Sequence, residues 1–175
     1  MTEVIGETLP LAVGIAISPI PIIAAILMLL SPRAKSTSVG FLIGWVAGIV
    51  VAIVLFTLIS TVISQETGGP SPVAGVIKII LGALLLFLAI KQWRARPAKG
   101  EEASMPKWMS AIDSMTAGQA LGLGFLLSAV NPKNLVLATG GGATIGQANG
   151  LSDSETILLV VIFVLSSFLD NIAAA

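Results

Sequence analysis

No cysteine and no histidine occur in the 175 residues, and tyrosine is absent as well. Without cysteine there is no disulfide, no thiolate metal site and no thiol redox chemistry. Without histidine the commonest general base and metal ligand at neutral pH is missing. Charge is scarce too: nine basic and nine acidic residues make up 10% of the chain, against about 25% in a soluble domain. The two signs cancel, which leaves no excess to hold a nucleic acid. No catalytic dyad or triad can be assembled from such a set, so the reading is no enzyme, no cofactor and no bound metal. What is abundant is apolar: 55% of the residues are hydrophobic and the mean hydropathy is +1.01. That balance argues against a water-soluble fold and makes the lipid bilayer the first partner.

Five apolar runs, near 9–30, 39–63, 73–92, 118–146 and 155–172, each approach the roughly 20 residues that a helix needs to cross a hydrocarbon core of about 30 Å. The start carries Glu3 and Glu7 and no basic residue, unlike the basic opening of a signal peptide, so the first run reads as a transmembrane helix. The first connection holds Arg33 and Lys35 and the third holds Lys91, Arg94, Arg96, Lys99 and Lys107; the second and fourth hold only acids, Glu66, then Asp153 and Glu155. Basic connections lie on the cytoplasmic side, which puts the N-terminus outside. The expected organisation is a first three-helix unit over 1–92, a basic cytoplasmic linker over 93–117 and a second unit over 118–175.

The polar run Ser-Ala-Val-Asn-Pro-Lys-Asn at 128–134 sits in the middle of the fourth span. Pro132 lacks a backbone donor and clashes with the preceding turn, and Asn131 before it is pushed to extended geometry. Broken backbone at membrane depth is tolerated only inside protein or along a watery cavity. Lys133 adds a cation that costs about 2.5–3.5 kcal/mol at the bilayer centre on insertion scales. The run is therefore a candidate substrate site; the alternative is a kinked packing helix with Lys133 snorkelling outward. The first span carries a matching interruption. Gly14, three apolar residues, Ser18 and then Pro19 and Pro21 parallel Gly124, three apolar residues, Ser128 and then Asn131 and Pro132. Paired interruptions in two halves point to a transporter binding site on an inverted repeat. The candidate substrate-binding residues are Ser18, Pro19, Pro21, Ser128, Asn131, Pro132 and Lys133, with Asp170 as the one further carboxylate within a span, a partner for the pathway or simply an interfacial group.

Other features read as packing. Gly40, Gly44 and Gly48 recur every four residues, a stripe that admits another backbone, either inside the chain or across a homodimer. The three glycines 140–142 are either a second unwound segment or a close helix contact; they lack the Gly-Lys-Ser/Thr that a phosphate loop requires. Residues 108–115 read as a short amphipathic helix along the membrane surface.

The Ser-Pro-x-Pro break, the Asn-Pro-Lys break and the basic central linker together resemble the LysE superfamily of bacterial exporters. The nearest likeness is the GAP family, the peptidoglycolipid- or sulfolipid-addressing (Sap) proteins of actinobacterial envelopes. The resemblance implies an all-α, multi-pass protein of the bacterial inner membrane, with two inverted three-helix repeats and proline-broken helices. Six helices are implied and five can be drawn, so a sixth is expected beyond Asp170. Ser18, Pro19 and Pro21 match the first family motif, and Asn131, Pro132 and Lys133 the second. The function implied is outward movement of an envelope glycolipid, peptidoglycolipid or small amphipathic molecule by alternating access. Export of an amino acid or other small solute is one alternative; a non-transporting scaffold for an envelope-lipid export complex is another. The shortage of intramembrane charge favours the lipid.

Overall fold

In the computed structural model, residues 1–64, 72–94 and 107–168 are described. Asp170 lies outside them, as does most of the linker. Among the described residues eight α-helices follow in order: α1 (Thr2–Ala16), α2 (Pro19–Leu29), α3 (Ala34–Ser64), α4 (Pro72–Arg94), α5 (Lys107–Ala111), α6 (Ala117–Ala129), α7 (Pro132–Gln147) and α8 (Asp153–Ser166), with a 3₁₀ turn Ile112–Ser114 after α5. All regular structure among the described residues is helical, as an all-α reading requires.

The first and fourth expected spans are each two helices. α1 and α2 meet at 51°, and α6 and α7 at 61°, because prolines interrupt the hydrogen-bond ladder at both places. The sequence marks the new starts. Pro19 and Pro132 occupy first-turn positions, where a missing N–H is no loss. Thr116 and Gln119 close α6 with a capping box, and Ser152 and Glu155 do the same for α8, each satisfying two otherwise unpaired N–H groups. Among the described residues one unbroken helix, α3, is long and apolar enough to cross a membrane, with a mean hydropathy of 2.8 over its 18-residue window; the two bent pairs qualify only as pairs, giving up to three spans. Together with the exposed apolar surface (Leu30 is 78% and Ile79 71% exposed), this is the composition of a membrane protein, since water would not tolerate such a belt.

α3 is the axis of the fold. It packs along α6 and then α7, and α1 packs on α7 and α8. The glycine stripe makes the first contact. A Cβ on Gly40 would collide with the Ala117 carbonyl, one on Gly44 with the Leu121 carbonyl, and one on Gly48 with the Ser128 hydroxyl; Gly124 of α6 answers by lying against the Phe41 carbonyl. The stripe is thus filled within the chain, by α6. Residues 140–142 stay helical. They are a close contact and not a second unwound segment: a Cβ on Gly142 would stand 2.6 Å from Phe56 Cβ, and one on Gly141 2.5 Å from Phe163 Cε2. Trp45, Ile49, Ile53 and Phe163 fill the interior beside these approaches.

The segment 108–115 does not behave as a surface helix. Only five residues form α5, and Ile112 and Met115 are buried in the core, so its apolar side is spent on the protein and not on lipid. The helix ends group consistently. Met1 to Glu7 lie beside the C-terminal turn of α7, and the far end of α3 meets the start of α8. One end of the molecule therefore carries Glu3, Glu7, Asp153 and Glu155, while Arg33 and Lys35 begin α3 at the other.

Candidate functional site

The geometry of the first break follows from its prolines. In an uninterrupted helix the Ile17 carbonyl would accept the N–H of residue 21, but Pro21 has none. Ile17 leaves helical geometry at φ −76°, ψ 62°, and Ser18 is extended at φ −113°, ψ 108°. The orphaned oxygen is taken from across the bundle: Lys133 Nζ donates to the Ile17 carbonyl at 2.5 Å. A bond from a charged donor is worth roughly 1.5–3 kcal/mol, against about 1 for a neutral one.

The second break is built by the same rule. Pro132 cannot serve the Ser128 carbonyl, four residues before it. Asn134 does so instead: its Nδ2 donates to Ser128 O at 3.3 Å and to Leu127 O at 3.5 Å. Asn131 is extended, as its position before proline dictates, and its Oδ1 accepts from the Lys133 N–H at 3.0 Å. One turn of α7 thus satisfies both breaks, Lys133 for the first and Asn134 for the second. Both carbonyls that the prolines orphan are paired within the chain.

Asn134 is fully buried and its Oδ1 has no hydrogen-bond partner among the described residues. Lys133 is exposed; its ammonium carries three donors, and Ile17 is its one protein partner among the described residues, with no carboxylate beside it. Pro21 and Ser18 are buried and Pro19 is exposed, and the Ser18 hydroxyl makes no capping bond. Ser128 is buried under α3, its hydroxyl donating to Phe125 O at 3.0 Å.

The structure therefore brings the Ser18–Pro19–Pro21 break and the Asn131–Pro132–Lys133 break together. The two serines that made the stretches look alike play different parts: Ser18 is the cap of α2, whereas Ser128 lies in the last turn of α6, three residues before the cap Asn131. Sequence reading missed Ile17, and although the 128–134 run includes Asn134, it gave that residue no part as the donor to the Ser128 carbonyl. Counting four residues back from Pro21 and from Pro132 would have named both orphaned carbonyls, though not the donors that reach them.

Cavities of about 480 and 510 Å³ lie at the other end of α7. The smaller is walled by Glu3, Glu7, Thr144 and Gln147, the larger by Thr57, Thr61, Asn149 and Asp153 among others. Among the described residues no three carboxylates converge to hold a metal ion.

No curated protein and no solved structure matches the chain. A family model does, over residues 8–170, described as Sap, sulfolipid-1-addressing protein. That match includes both proline breaks, Lys133 and α3, and covers nearly the whole sequence: the chain belongs to the Sap, sulfolipid-1-addressing protein, family.

Proposed function

We propose that this protein carries an anionic lipid outward across the bacterial inner membrane, with Lys133 taking the headgroup between the two proline breaks. The observation that carries the reading is the bond from Lys133 Nζ to the Ile17 carbonyl. It puts a cation, with no counter-charge beside it among the described residues, where two helices are broken. A carbonyl is a weaker partner for an ammonium than an oxyanion is, so an arriving sulfate, phosphate or carboxylate displaces Ile17 from the lysine. The family description names a sulfolipid, and a sulfate is such a group. A zwitterionic amino acid would want a carboxylate near the lysine, and none stands there among the described residues, which favours the lipid over a small solute.

In this reading the chain acts as a carrier and not as an enzyme. Its two proline-broken units are the inverted halves of a LysE-like exporter, rocking against each other about Ser18 and Asn131. The N-terminus faces outward, because Arg33 and Lys35 mark the cytoplasmic end. Release of the Ile17 carbonyl loosens the tie between the units, and the outward step follows from that.

The test is Lys133→Met in cells that depend on this protein for delivery of an anionic envelope lipid. The variant keeps length and removes charge; the lipid reaching the outer face, normalised to folded protein, should fall at least about tenfold, corresponding to roughly 1.4 kcal/mol. Undiminished delivery overturns the reading and leaves the lysine a structural tie.

A further inference from the structure

We propose that the Lys133 site opens sideways into the bilayer, so that an anionic lipid brings its headgroup to the lysine while its acyl chains stay in the membrane. The sideways route rests on the reading of Lys133 as the headgroup's partner and adds where the chains lie: along the outer face of the two broken helix pairs.

Two rows of side chains carry the inference. Along the first bent pair Val13, Ile17 and Ile20 are exposed, while Ile15 between them is fully buried. Steps of four and three residues stay on one face of a helix, so the exposed row passes from α1 into α2 across the 51° bend. Along the second pair the row is Val130, Lys133 and Val136, at steps of three, with Asn134 fully buried behind it. Ile17 is 57%, Val130 50% and Val136 55% exposed. Apolar surface of this kind in the middle of a span has lipid tails for its neighbour.

The rows meet at one bond, from Lys133 Nζ to the Ile17 carbonyl. Close packing of α1 on α7 holds them side by side: a Cβ on Gly14 would stand 3.1 Å from Leu137 Cδ1. Lys133 is the one charged member of either row.

A cation on such a face is unusual. Ionisable side chains within spans almost always turn to the bundle interior or to a watery cavity, and lysines near membrane surfaces stretch out to the headgroups. Lys133 does neither. It starts α7 at the middle of the second bent pair, it is exposed, and the Ile17 carbonyl holds its ammonium there. An anion that is itself part of a lipid answers both features of the place. Its headgroup supplies the opposite charge, and its chains cover Val130 and Val136. A water-soluble anion supplies only the first. The substrate class is therefore a membrane-embedded anionic amphiphile, recognised from the side.

The experiment is photocrosslinking from single cysteines that carry a benzophenone, introduced as Val130→Cys, Val136→Cys and, for comparison, Val62→Cys at the far end of α3, where the side chain is also exposed. The full chain is reconstituted in vesicles with phosphatidylglycerol or phosphatidylcholine bearing the same alkyne-tagged acyl chain. Capture from positions 130 and 136 should favour the anionic lipid at least about fivefold, and capture from position 62 should not discriminate. Adding Lys133→Met should erase the preference. Equal capture of both lipids from positions 130 and 136 overturns the proposal, and so does the same preference from position 62, which would mark a bulk effect. Capture from position 62 alone overturns it as well, since another element then covers the lysine. The two readings fail separately. Delivery lost in Lys133→Met with no preference at 130 and 136 sinks the sideways route alone; a preference there with undiminished delivery sinks outward carriage alone.

Discussion

Lys133 and Ile17 stand 116 residues apart in sequence and are joined by one hydrogen bond, ammonium to carbonyl. The bond exists because Pro21 withholds the N–H that the Ile17 oxygen would otherwise accept. Replacing Pro21 with alanine returns that donor. We expect Pro19→Ala with Pro21→Ala to lower the 51° bend between α1 and α2 and to free Lys133 from Ile17. Spin labels at Leu9 and Ile26, both exposed, should report a longer separation in the double variant. An unchanged distance would show that packing, and not the prolines, sets the bend.

Asn134 holds the other break. Substituting leucine keeps the volume and removes the donor that serves the Ser128 carbonyl. A buried carbonyl left unpaired costs about 1–3 kcal/mol. Asn134→Leu should therefore lower the thermal midpoint in detergent clearly, whereas Asn131→Leu, at a half-buried cap, should cost about 1 kcal/mol. Equal stability of Asn134→Leu and the wild type would mean that the break is satisfied by other means.

The glycine stripe gives a third expectation. Gly44 lies on the Leu121 carbonyl, with backbone and not a flexible side chain in the way. Gly44→Leu should prevent α3 and α6 from meeting and abolish recovery of folded protein. Folded protein with a changed oligomeric size would instead assign the stripe to an interface between chains.

Orientation can be read cleanly, since there is no native cysteine to remove. Cysteines placed at Ser36 and Ser154, both exposed and at opposite ends of the fold, should label from opposite sides of the membrane, Ser154 from outside. Labelling of both from one side would contradict the proposed topology.

Much of this arrangement was legible in advance. Pro19, Pro21 and Pro132 announce their breaks, because a missing N–H acts locally whatever the tertiary context. The Gly40–Gly44–Gly48 spacing announces a close contact for the same reason. What the sequence could not show is which partner arrives. That α6 fills the stripe, and that Lys133 reaches Ile17, depend on how distant helices cross. Glycines 140–142 were ambiguous because three glycines weaken a helix by about 1 kcal/mol each, and only the contacts with Phe56 and Phe163 show why the helix persists. The segment 108–115 misled because apolar residues at helical spacing look alike whether they face lipid or, like Ile112, the core.

The central claim is that Lys133 exchanges the Ile17 carbonyl for the anion of a lipid. Its most direct measurement is transbilayer movement of fluorescent lipids in vesicles containing purified protein, comparing an anionic headgroup with a zwitterionic one of similar size. The account predicts that the wild type moves the anionic lipid at least about tenfold faster than the zwitterionic one, and that Lys133→Met erases the difference, a change of roughly 1.4 kcal/mol. Headgroup preference that survives in Lys133→Met would contradict it.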